Sequence, residues 1–159
     1  MFEVGDKIVY PMHGAGVIDS IEKIDFMGEE KEYFMLSMPI GDMDISVPAD
    51  KINEMNIREI ISKEEGEKVL EIINSEPSEM NSNWTKRHRE NQDILKSGDI
   101  YETAEMVRDL AALDDEKGLS TTEKKLLNKA RRILASELVM AGSLEKEEAE
   151  KMIDESIGL

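Results

Sequence analysis

Basic residues carry most of the chemical information in this 159-residue chain, because they are scarce: 36 Asp and Glu outnumber 20 Lys and Arg, for a formal charge of -16. They gather in two places. Asn83-Trp84-Thr85-Lys86-Arg87-His88-Arg89 sets the single tryptophan beside three cations, and Lys124, Lys125, Lys129, Arg131 and Arg132 fall within nine residues that contain no acid. Cations grouped in this way attract phosphate, and an apolar wedge beside Arg and Lys is a means of unstacking duplex steps from the minor groove. Helical spacing places Trp84 within about 40° of His88, Asn91 and Leu95, the face of a packed helix. Its position in the first turn after a loop favours projection past the end of the core instead. Periodicity leaves both readings of Trp84 open.

Other chemistries find little support. His13 and His88 lie 75 residues apart with no second ligand at metal spacing, and the absence of cysteine excludes a disulfide or thiolate metal site. Gly14-Ala15-Gly16 lacks the third glycine and following helix of a dinucleotide fingerprint, so it reads as a turn. Asp42 and Asp44 could be paired carboxylates, but alternation along an exposed strand accounts for them without a reaction. No nucleophile elbow or phosphate loop occurs, and the expectation is a protein that is not an enzyme and uses neither metal nor cofactor. The absence of a leader-like N-terminus and of any membrane-length apolar run leads to the expectation of a soluble, cytoplasmic chain. So acidic a protein repels nucleic acid over about a 10 Å Debye length. Nucleic-acid contact should therefore be local and assisted by a partner.

Two kinds of element must position these residues. Residues 1–54 read as short strands: Asp6 to Tyr10, Val17 to Phe26, a run from Tyr33 to Met38, and Met43, Ile45 and Val47 alternating with Asp44 and Ser46, with a hairpin turn at Met27-Gly28-Glu29-Glu30. Such strands suit a small SH3-like or Tudor-like barrel. Residues 55–159 read as a helical bundle, giving an α+β chain of two domains. Ser62-Lys63-Glu64-Glu65, Asp99-Ile100-Tyr101-Glu102 and Ser120-Thr121-Thr122-Glu123 are capping boxes, and Gly98, Gly118 and Gly142 mark helix ends. Leu126, Leu127, Ala130, Ile133, Leu134 and Leu138 form one apolar stripe, with Lys125, Lys129 and Arg132 roughly opposite it as a solvated basic face. The last helix, from Leu144, carries Ala149, Met152 and Ile153 on one side.

Val4-Gly5-Asp6-Lys7-Ile8-Val9-Tyr10-Pro11-Met12-His13-Gly14, followed by Gly16, resembles the opening of the CarD/CdnL family of bacterial transcription regulators. That family shares its N-terminal domain with the polymerase-interacting domain of the transcription-repair coupling factor. Asn83-Trp84-Thr85-Lys86-Arg87, Ser97-Gly98-Asp99, Glu105-Met106-Val107-Arg108-Asp109-Leu110, Gly118-Leu119-Ser120 and Glu123-Lys124-Lys125 are similar to its helical domain in order and spacing. The resemblance implies a monomeric regulator whose Tudor-like domain binds the RNA polymerase β subunit and whose helical domain contacts promoter DNA at the upstream edge of the opening bubble. It carries no small-molecule substrate and no membrane contact. By residue match it implies that Trp84 is the minor-groove wedge and that Lys86, Arg87, Arg89, Lys124 and the adjoining Lys125 meet DNA. The polymerase-facing positions fall on Ile24, Asp44 and Ser46, where family members often have arginines in place of Ile24 and Ser46. The competing class is a protein-only adaptor that touches no DNA.

Overall fold

The computed structural model describes residues 2–39 and 42–154. Strands β1 (Lys7–Tyr10), β2 (Gly14–Phe26), β3 (Glu29–Met38) and β4 (Met43–Pro48) form an antiparallel meander. After a 3-10 turn at Ile52–Met55, a short β5 (Arg58–Glu59) returns to pair with β1. The strand order β4-β3-β2-β1-β5 is the small antiparallel sheet expected of a Tudor-like domain, and it reaches past residue 54 for its last strand. Ile8, Ile18, Phe34, Leu36, Met38 and Val47 close one core beneath it. In β4, Ile45 and Val47 turn inward while Asp44 and Ser46 stay exposed, as period-2 patterning requires.

Met27 and Gly28 both take positive φ, 54° and 83°, the backbone of a two-residue hairpin turn whose twist matches its flanking strands. A bulge between Ile18 and Ser20 bends β2, and beyond it every residue from Ile21 to Glu32 is exposed.

Gly14-Ala15-Gly16 corrects one expectation. The turn is at Pro11 to His13, and the glycine segment opens β2, paired to Tyr10, Val9 and Ile8. The need for a small residue at Gly16 comes from tertiary contact: a Cβ there would strike the Met38 side chain and the Ser37 carbonyl.

The second half forms α1 (Lys63–Ile73), α2 (Trp84–Ser97), α3 (Ile100–Lys117), α4 (Thr121–Met140) and α5 (Lys146–Asp154). Leu95, Leu110, Leu127, Leu134 and Leu138 are central to a separate core, to which Ala149 of α5 contributes. The expectation for the Met152 and Ile153 side chains lies outside the described residues. The cap at Ser62 is a full reciprocal box with Glu65. The other two expected boxes are half-formed. Asp99 caps α3 by accepting from the Tyr101 and Glu102 amides, but its own amide donates to Ser97 Oγ at 3.2 Å rather than to Glu102. Ser120 accepts from the Glu123 amide, while the Glu123 carboxylate is turned toward another helix. Among the described residues, no helix is long and apolar enough to cross a membrane.

The two halves are joined by polar contacts. Arg58, in β5, donates from Nη1 and Nη2 to Glu137 of α4 at 2.7 and 2.8 Å, and from Nε to the Gly98 carbonyl at 2.9 Å. The Ile61 amide donates to the same Glu137 carboxylate at 3.0 Å. The Ala15 amide donates to Ser136 Oγ at 3.1 Å, and Lys7 Nζ to the Met140 carbonyl at 3.4 Å. Gly98 ends α2 with φ 77°, and a Cβ there would come within 2.9 Å of Pro11 Cγ, so this corner packs tightly on the sheet domain.

Candidate nucleic-acid interface

The candidate interface lies at the beginning of α2. Asn83 Oδ1 accepts from the Thr85 and Lys86 amides at 3.1 and 3.3 Å, and the Asn83 amide donates to Asn81 Oδ1 at 3.0 Å. This capping turns the loop sharply into the helix, with Trp84 as the first helical residue. The inward face of α2 carries Asn91 and Leu95, both buried, and His88, half-buried. Trp84 shares that direction but lies beyond the core: 51% of its surface is exposed. Of the two readings open to periodicity, the structure takes the projecting one. With half of its surface in water, Trp84 gains only part of the stabilisation that full burial of an aromatic would give.

Lys86 and Arg89 are exposed on the same turns, and the first turn of α2 contains no acid. Cations there oppose the partial positive charge of a helix N-terminus, an arrangement that costs a few tenths of a kcal/mol to about 1 kcal/mol and favours an incoming anion.

Arg87 departs from the expectation of a free phosphate contact. Its Nε and Nη2 donate to Glu123 Oε2 and Oε1 at 2.7 and 2.8 Å, and Nη1 donates to the Asn81 carbonyl at 2.8 Å. The hydrogen bonds to Glu123 hold the guanidinium above its ordinary pKa, against the opposing effect of burial. A fork-on-fork pair of this kind is the strong form of an ion pair. It fastens the start of α2, which bears Trp84, Lys86 and Arg89, to the first turn of α4, which Lys124 and Lys125, both exposed, follow. Arg87 is therefore a strut behind the surface.

Ile24 lies in the exposed outer half of β2, opposite Lys31, while Asp44 and Ser46 are exposed on β4, opposite Ser37 and Met35. Among the described residues, the far edge of β4 is not paired to another strand of the sheet. Near Ile24 the hairpin exposes Ile21, Phe26 and Met27. Ile24 and the β4 pair thus sit on different strands of one sheet, with β3 between.

The residues supporting the candidate site that sequence reasoning missed are Glu123, Glu137 and Arg58. A signal existed for Glu137: it occupies the inward stripe at helical spacing from Ala130, Ile133 and Leu134, where an acid requires a partner. Among the described residues, no group of three or more His, Asp or Glu could hold a metal.

Residues 2–61 match the family model described as the CarD-like/TRCF RID domain, and residues 68–154 match that of the CarD C-terminal domain. YdeB, named as a candidate transcription factor of Bacillus subtilis (strain 168), is 40% identical over 148 residues, covering 92% of this chain and 97% of its own. With both the sheet and the helical bundle matched in order, the chain belongs to the CarD family of transcription regulators.

Proposed function

We propose that the protein binds the RNA polymerase β subunit through its sheet domain and stabilises the open promoter complex by setting Trp84 into the minor groove at the upstream edge of the bubble. Lys86, Arg89, Lys124 and Lys125 then meet phosphates, and Arg87 holds them in place. The observation that carries this reading is the exposure of the single tryptophan at a capped helix start, braced from behind and flanked by cations in an acidic chain.

The sheet offers two kinds of contact to polymerase. The outer edge of β4, bearing Asp44 and Ser46, has main-chain groups available for strand addition, and the hairpin beside Ile24 has exposed apolar side chains. Strand addition depends little on side-chain identity, which suits positions that lack the family's arginines. Anchoring makes weak DNA contacts effective, because tethering raises local concentration to about the millimolar range. About 1.4 kcal/mol of preference for the open state shifts the closed-to-open equilibrium tenfold.

The test is open-complex lifetime on a promoter with the Trp84→Ala protein. Polymerase binding should be unchanged and the lifetime should fall about tenfold. An unchanged lifetime would leave the protein-only adaptor as the better reading.

A further inference from the structure

The loop between β1 and β2 and the beginning of β4 meet α4 across a groove of about 380 Å³. Lys125, Lys129 and Arg132 line it from α4, with the Asn128 amide among them. His13 joins from the sheet domain, and Met12, Met43 and Ile133 supply its apolar surface. None of the described lining residues is an acid, in a chain with 36 of them; Asp42 and Asp44, which flank Met43 in sequence, are not among them. The three cations stand at i, i+4 and i+7 on one helix face, and none joins an ion pair among the described residues. Like charges at this spacing repel, and this sequence relieves such repulsion elsewhere with abundant carboxylates. His13 senses the resulting field: its pKa is lowered first by burial and then by the charge of Lys129.

We propose that this groove binds a phosphorylated ligand of about one or two nucleotide units, with its phosphates on Lys125, Lys129 and Arg132 and its flat apolar part against Met12, Met43 and Ile133. Arg132 offers a planar fork to phosphate oxygens, the two lysines add point charges, and Asn128 can read a polar edge. Ligand sites favour domain boundaries, and this groove is walled by both domains. Its volume holds a nucleotide but not a duplex; Lys125 is common to this groove and to the surface proposed to meet duplex phosphates, whereas Lys129 and Arg132 belong to the groove alone. A free nucleotide and a short unpaired strand offer the same phosphate chemistry. The inference does not depend on the role of Trp84.

The full-length protein is titrated with ATP, inorganic pyrophosphate, a short single-stranded oligonucleotide and a duplex of the same sequence, using calorimetry and the His13 imidazole resonances as readouts. The expected result is binding of ATP or the single strand that shifts His13. Lys129→Glu or Arg132→Glu should weaken that binding about tenfold or more, while Lys68→Glu, on the exposed face of α1, leaves it intact. Stronger binding of ATP and pyrophosphate identifies a free ligand; stronger binding of the oligonucleotide identifies an unpaired strand. Lys129→Gln and Arg132→Gln, checked by circular dichroism, separate loss of charge from loss of fold. Binding of the duplex alone, a silent His13, or equal loss in Lys68→Glu would overturn the assignment.

Discussion

Arg87–Glu123 and Arg58–Glu137 are arginine–carboxylate forks that differ in what lies on either side. Arg87–Glu123 joins two helices within one core, with side chains 11% and 2% exposed. Arg58–Glu137 joins the sheet to the bundle, with the arginine 30% exposed and the glutamate 3%. In both, the carboxylate is the deeper partner and the arginine comes from a separate element to neutralise it. The inner fork seats the surface that carries Trp84; the outer fork fixes where that surface stands relative to the sheet. One places a tool on its arm and the other sets the angle of the arm.

The largest effect should come from breaking the inner fork. Arg87→Ala leaves Glu123 buried with only a long contact to Ser120 Oγ, at 3.4 Å, and should cost about 3–5 kcal/mol in urea unfolding. Arg58→Ala should cost less, about 2–3 kcal/mol, because Glu137 keeps the Ile61 amide and Arg58 is already partly in water. It should also loosen the domain arrangement, read as an increased radius of gyration by small-angle scattering. Equal losses in the two variants would erase the ranking, and an unchanged radius would deny the outer fork its orienting role.

Asn83→Ala removes the cap of α2 without touching either fork. It should cost about 1 kcal/mol and shorten the open-complex lifetime less than Trp84→Ala does. The smallest effect concerns His13. Burial and Lys129 hold its pKa below the ordinary 6.5, so between the lowered value and 6.5 the unfolded chain binds more protons than the folded one. Its contribution is fully present above pH 6.5 and is lost as pH falls through the lowered value. His13→Gln should flatten that slope in thermal melts between pH 5 and 7, and an unaltered slope would place the effect on other groups.

What could be read from the sequence depended on how far apart the partners were. The Ser62 cap was legible because both halves of its box lie within four residues, and the Met27-Gly28 turn because it needs only its own two φ angles. Trp84, Lys86 and Arg89 stood out because cations are rare in this chain. Arg87 looked identical to its neighbours; the carboxylate that turns it inward is 36 residues away. The same distance effect made Ser120 look like a complete box, when Arg87 took the Glu123 carboxylate, whereas at Asp99 a local competitor, Ser97 Oγ two residues before it, took the capping amide. Gly14-Ala15-Gly16 looked like a turn because the reason for its small residues, contact with β3 and a hydrogen bond to α4, is invisible locally.

The outer fork also bears on how such a protein can be taken apart or recombined. The family matches divide the chain after residue 61, which leaves Arg58 on one piece and Glu137 on the other. A helical half released at that point would retain a buried carboxylate without its guanidinium, and a sheet half would retain an arginine whose acceptors had gone. Chimeras that exchange one half between relatives should fold well only where the incoming piece carries the complementary residue, making this pair a compatibility lock between modules that otherwise look interchangeable.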